Sequence, residues 1–212
     1  MSSTYIPAID AAGIAMDWKK HGFDRFQMQR HATLGAGHCL LHAIAQAIYV
    51  EYRTQQYRGR PLSRQTMIVD LRNEIADRLS AIDPETGITY YESIGGGTIA
   101  EMGIDRYEFS LEAMAAYFRS DQPLGQEMMV VLSYMVKKSI YLLDLESQDV
   151  FVTDAGFPNP NHPAVVIIYT GGHYEVVTVW TPVLREHLAH FLPDHSFIQF
   201  LRQRIKEYKS DH

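Results

Sequence analysis

Residues 165 to 168 and 176 to 179 are β-branched runs on either side of Gly171 and Gly172, so the chain must pair two strands about a tight turn there. Along the second strand side chains alternate between faces, which sends His173 and Glu175 to the same side. A second constraint lies far upstream. Gly35, Ala36, Gly37 and His38 lead into Cys39, the only cysteine of 212 residues. From there Leu40, Leu41, Ile44, Ile48 and Tyr52 recur at helical spacing, which predicts a helix over residues 39 to 53, apolar on more than one face and therefore largely buried.

Cys39 thus opens the first turn of a helix, where the partial positive charge of the N-terminus favours thiolate over thiol. Thiolate is the nucleophilic form, and free amides at such a terminus can hold an oxyanion. Cysteine also fills core space more often than most residues, and that is the competing reading. The Gly-Gly-His-Tyr-Glu turn shifts the balance: His173 is placed to take the thiol proton, and Glu175 to hold its other nitrogen. His42, one turn after Cys39, is the less favoured base. With one cysteine and no Cys-x-x-Cys or His-Glu-x-x-His, no metal site and no cofactor are expected.

With both stretches in view, the chain resembles the OTU (ovarian tumour) family of cysteine proteases, most of which are deubiquitinases. Ala36-Gly37-His38-Cys39-Leu40-Leu41 stands where that family has an Asp-Gly-Asn-Cys-Leu-Phe type motif, and His173-Tyr174-Glu175 stands at its late histidine strand. Leu124-Gly125-Gln126-Glu127-Met128 is similar to its Trp-Gly-x-x-Glu-Leu segment. The resemblance spans residues 30 to 181. It implies an α+β, papain-like fold: a mixed central sheet packed between helices, with the nucleophile at the N-terminus of the central helix. The whole chain, residues 1 to 212, would form one catalytic domain, with an N-terminal extension over 1 to 30 and a C-terminal helical extension over 182 to 212.

By the same resemblance, Cys39 attacks the carbonyl of the last glycine of ubiquitin, polyubiquitin or a ubiquitin-like modifier, and His173 and Glu175 complete the catalytic set. The amides of Ala36 and Cys39 form the oxyanion hole. Leu124, Gly125, Gly171 and Gly172 line the channel for the glycine tail. Two positions depart from the pattern: Ala36 replaces an aspartate that orients the histidine in some members, and His38 replaces an asparagine. Glu175 then leads as third member, and a bare Cys-His dyad is the alternative. A papain-like amidase of another substrate class would use the same order of residues. A ubiquitin-binding pseudoenzyme is the reading from the binding-module class.

Composition narrows the setting. A chain 46% hydrophobic and 21% charged suits one domain with a sizeable core. No apolar run reaches the roughly 20 residues of a membrane span, and residues 1 to 16 lack the layout of a signal peptide. A single cysteine excludes an intrachain disulfide and fits a reducing compartment. The net charge of -6 argues against nucleic acid as a partner and suits ubiquitin's basic tail. A cytoplasmic monomer is expected. The short layout with unusual motifs suggests a viral or bacterial-effector member acting in host cytosol.

Between the two motifs, Ser63 caps a predicted helix over 64 to 82, and residues 53 to 64 form an exposed connection. Gly95, Gly96 and Gly97 lack the lysine of a phosphate loop and read as a flexible turn. Residues 98 to 119 read as helical and correspond, by resemblance, to an arm that meets ubiquitin. A helix over 127 to 136 follows, then a buried strand over 140 to 145 pairing with 149 to 153. Residues 18 to 20, 23 to 29, 182 to 190 and 197 to 208 are all expected to be helical.

Overall fold

The computed structural model describes residues 12 to 35, 37 to 151 and 159 to 210. In chain order the first half holds β1 (Ile14–Met16), β2 (Met28–His31), α1 (Cys39–Ile48), α2 (Val50–Thr54), β3 (Gln56–Tyr57), β4 (Arg60–Pro61), α3 (Arg64–Leu79) and α4 (Tyr90–Ser93). Next come α5 (Thr98–Asp105), α6 (Leu111–Arg119), α7 (Met129–Val136), β5 (Ser139–Asp144) and β6 (Asp149–Phe151). The chain closes with β7 (Ala164–Tyr169), β8 (Tyr174–Thr181), β9 (Glu186–Leu188), β10 (His190–Phe191) and α8 (Ser196–Ser210).

The expected α+β architecture is present: a mixed sheet in the order β1-β2-β8-β7-β5-β6, with β9 and β10 added to β8 and β7. The β5–β7 pairing is parallel, as the long crossover between them permits, and its neighbours are antiparallel. Alternation along the strands divides the core in two. Ile140, Leu142, Val165, Ile167, Tyr174 and Val176 face α1 and the helical layer around it. Tyr141, Leu143, Val166, Ile168, Val177 and Val179 face Phe197, Ile198, Leu201 and Ile205 of α8. Burial on both faces explains why these strands read as continuous apolar runs.

The predicted hairpin forms with Gly171 and Gly172 as its loop. Both have positive φ, 78° and 116°, which glycine adopts without the Cβ penalty of other residues. Ser63 caps α3 through its hydroxyl, 3.5 Å from the amide of Thr66. The helix predicted over 39 to 53 breaks at Tyr49, whose backbone is extended (φ -104°, ψ 117°), so that α2 turns back and Tyr52 is buried against α1.

Other expectations are corrected. The helices expected near the N-terminus are instead the strands β1 and β2 joined through a single 3-10 turn, Phe23–Arg25. Here apolar residues spaced three or more apart serve the second core: Trp18 and Phe23 pack edge to face, with centroids 5.0 Å apart. Residues 182 to 190 hold β9 and β10 rather than a helix, because His187 and His190 pair in register with Trp180 and Val165. The described parts of both ends join the sheet: β2 pairs with β8, and α8 covers one face of it. The exposed connection over 53 to 64 contains the small ribbon β3–β4, and the helical stretch over 98 to 119 is interrupted at Arg106 and Ser110. Residues 152 and 153 of the strand expected opposite β5 lie outside the described residues.

Candidate active site

Cys39 begins α1 and is 9% exposed, at the rim of the core. Two features hold the approach to it. Gly37 has φ 82°, and a Cβ there would lie 3.3 Å from Cγ of Pro123, so the loop after α6 lies against the loop before the thiol. Arg72, 2% exposed, forms the other. It donates Nε–H to Phe118 O at 2.9 Å, Nη2–H to Tyr117 O at 2.9 Å and Nη1–H to His38 Nδ1 at 3.1 Å. That last bond makes Nδ1 of His38 an acceptor and keeps the ring neutral. Burial, and then the Arg72 charge, hold the His38 imidazole below its ordinary titration range.

The helix packs across β8 and β7. At its N-terminus Cys39 and Tyr174 share one apolar cluster. Burial, with Glu127, Tyr169 and Cys39 nearby, pushes the Tyr174 phenol up to about 12. One turn on, His42 is fully buried and meets the Tyr52 hydroxyl through Nδ1 at 2.7 Å. Desolvation pushes His42 down to about 4, and the charge of His173 acts in the same direction. Tyr174, the first residue of β8, therefore stands near Cys39 and the first turn of α1. His42, neutral and engaged by Tyr52, is poorly placed to gain a proton.

Glu175 has a partner other than His173. Its carboxylate accepts from Arg30 Nη1 at 2.8 Å, and the residue is 7% exposed. Arg30 stands opposite Val177 in the β2–β8 ladder, so Glu175, two residues earlier on the same row, meets the guanidinium. His173 lies just outside the strand, where alternation no longer fixes its direction. Its Nε2 is 3.1 Å from Oγ1 of Thr33.

The channel residues separate as well. Gly125 is half-buried, and Gly171 and Gly172 are exposed beside His173, whereas Leu124 is 2% exposed and belongs to the core. Ala36 lies outside the described residues. The amide of Cys39 is one of the first in α1, which have no intrahelical acceptor. Elsewhere in the helical layer, α5, α6 and the turn before α7 line a groove of about 1120 Å³, whose lining includes Met102, Glu108, Phe109, Tyr117, Gln126 and Glu127. Among the described residues no cluster of histidine, cysteine and carboxylate side chains could hold a metal, and no helix is long and apolar enough to cross a membrane.

Arg72 and Thr33 are the residues sequence reading missed. Arg72 had a signal, since Ile68, Arg72, Ile75 and Leu79 form one helical row and the arginine sits where the spacing calls for an apolar side chain. Thr33 had none outside the strand register.

A thiol at the N-terminus of α1 and a histidine directly before β8 are the residue types that thiol hydrolysis requires. No protein-family model and no curated protein matches the chain. Among solved structures it is similar to an ovarian tumour (OTU) domain in complex with ubiquitin, at 16% identity over 90% of each chain with a TM-score of 0.49. It is also similar to the OTUD1 OTU domain, at 16% identity over 71% of this chain and 85% of that one, TM-score 0.45. An OTU deubiquitinase from Wolbachia pipientis wMel is similar at 15% identity over 71% and 87%, TM-score 0.39.

Proposed function

We propose that the chain is a cysteine isopeptidase of the OTU type, cleaving after the C-terminal glycine of ubiquitin or a ubiquitin-like modifier. The observation that supports this reading is the packing of α1, which opens with Cys39, across β8, which follows directly on His173. His173 takes the thiol proton, and the sulfur attacks the glycine carbonyl. The resulting oxyanion is held by the Cys39 amide, with the Ala36 amide as second donor by resemblance to the family. Collapse breaks the C–N bond as His173 returns the proton to the lysine amine. Water activated by His173 then hydrolyses the thioester and frees the carboxylate.

The groove lined by α5 and α6 supports a basic, extended tail as substrate. Of its charged side chains, Arg106 and Glu108 pair at 2.7 Å and offset each other, which leaves the Glu127 carboxylate as the net negative charge. Gly171 and Gly172 present bare backbone next to His173, with open space where a Cβ would stand, which suits close approach by a glycine-ended peptide. Hydrolysis of a fluorogenic amide at the C-terminus of ubiquitin tests the reading. Wild type should release the fluorophore and Cys39→Ala should not. Turnover of a short glycine-glycine amide but not of the ubiquitin conjugate would instead indicate a general amidase.

A further inference from the structure

His173 must present one particular nitrogen to the thiol, and a neutral imidazole has two tautomers. The residue expected to choose between them, Glu175, is held by Arg30. Thr33 lies where the choice is made. The β2–β8 ladder ends at His31 opposite Val176, and extending the register by two residues sets Thr33 opposite Tyr174. There its hydroxyl replaces the next ladder bond: Oγ1 donates to the Tyr174 carbonyl at 2.6 Å and is 3.1 Å from His173 Nε2. A carbonyl oxygen only accepts, and a threonine hydroxyl has one proton, so that proton goes to Tyr174 O. The contact with His173 then needs a proton on Nε2, which donates to Thr33. The lone pair is left on Nδ1.

We propose that Thr33 is the positioning residue of the site, fixing His173 as the Nε2–H tautomer so that Nδ1 is the base for Cys39. Because its own proton is committed to a peptide carbonyl, the hydroxyl oxygen is a strengthened acceptor. The bond also survives proton transfer: when Nδ1 gains the thiol proton, Nε2–H still points at Thr33. Glutamate at position 175 is thereby released to hold the sheet through Arg30. This inference rests on the thiol-hydrolase reading for its purpose but not for its geometry.

Long-range proton–nitrogen correlation spectra of the His173 ring, combined with the rate at which iodoacetamide alkylates Cys39, test the assignment without any protein substrate. Wild type and Thr33→Ser should show Nε2–H with unprotonated Nδ1. Thr33→Val, nearly isosteric, should show mixed tautomers and slower alkylation, by about tenfold or more. A wild-type ring protonated at Nδ1 would overturn the assignment even if the valine variant did not fold. So would a folded Thr33→Val with tautomer and rate unchanged. A chain that shows the expected tautomer and alkylation but ignores ubiquitin supports the role of Thr33 and overturns only the choice of substrate.

Discussion

Arg30 donates Nη1–H to Glu175 Oε2 at 2.8 Å, joining β2 to β8 on the face opposite α1. Glu175 thus serves as an anion that ties the two strands together. Arg30→Met strands a largely buried carboxylate and should destabilise the protein by about 3 kcal/mol. Glu175→Gln retains an acceptor for Arg30 and should lose less, with hydrolysis within about twofold of wild type once folding is accounted for. Urea unfolding alongside the ubiquitin-amide assay checks both. A stable Glu175→Gln protein without activity would return Glu175 to the catalytic set.

Gly37 has φ 82° and packs against Pro123. Gly37→Ala should lower stability by about 1 to 2 kcal/mol for the left-handed backbone alone. Its effect on alkylation of Cys39 should be larger than that of an alanine at Gly59, which also has positive φ (76°) but has open space around it. Paired thermal melts and alkylation rates on the two variants separate the site from the general cost.

Arg72, on α3, reaches three acceptors: two carbonyls of α6 and the ring of His38, the residue before Cys39. Arg72→Lys keeps the charge but not the planar fork that reaches all three. It should lower the melting temperature and slow Cys39 alkylation together, as differential scanning fluorimetry and mass-resolved labelling would record.

Acid should unfold the protein through buried imidazoles. Burial pushes His42 and His190 down to about 4, against 6.5 for a free side chain. Between those values the unfolded chain binds more protons than the folded one, so stability is fully present above pH 6.5 and is lost as pH falls toward 4. Each group contributes up to about 1.4 kcal/mol per pH unit in that window. Urea titrations from pH 7.5 to 4.5 should show the decline, and His190→Asn should flatten it. A pH-independent midpoint for wild type would contradict this account.

Much of the framework was legible in the chain because period and punctuation agree. The runs at 165 to 168 and 176 to 179 with their glycine pair gave β7 and β8, and Ser63 with its apolar row gave α3. The termini were misread for a physical reason: around residues 14 to 31 and 186 to 191 the strands are short and gain stability from long-range pairing, which leaves no local period to detect. The site divides in the same way. Cys39 and His173 stand out as a lone thiol after a glycine loop and a histidine after a glycine pair. The bond from Thr33 to His173 depends on a register joining residues 140 apart, and Glu175 was drawn toward Arg30, 145 residues away, by that same register.

The most direct measurement is labelling of the wild-type chain, Cys39→Ala and His173→Ala by ubiquitin carrying a thiol-reactive group at its C-terminus, followed by mass mapping of the adduct. The account predicts a single covalent adduct on Cys39 in wild type, none in Cys39→Ala, and strongly slowed labelling in His173→Ala, with His42→Asn retaining it if folded. A wild-type chain that stays unlabelled, or one whose labelling survives His173→Ala but is abolished in a folded His42→Asn, would contradict it.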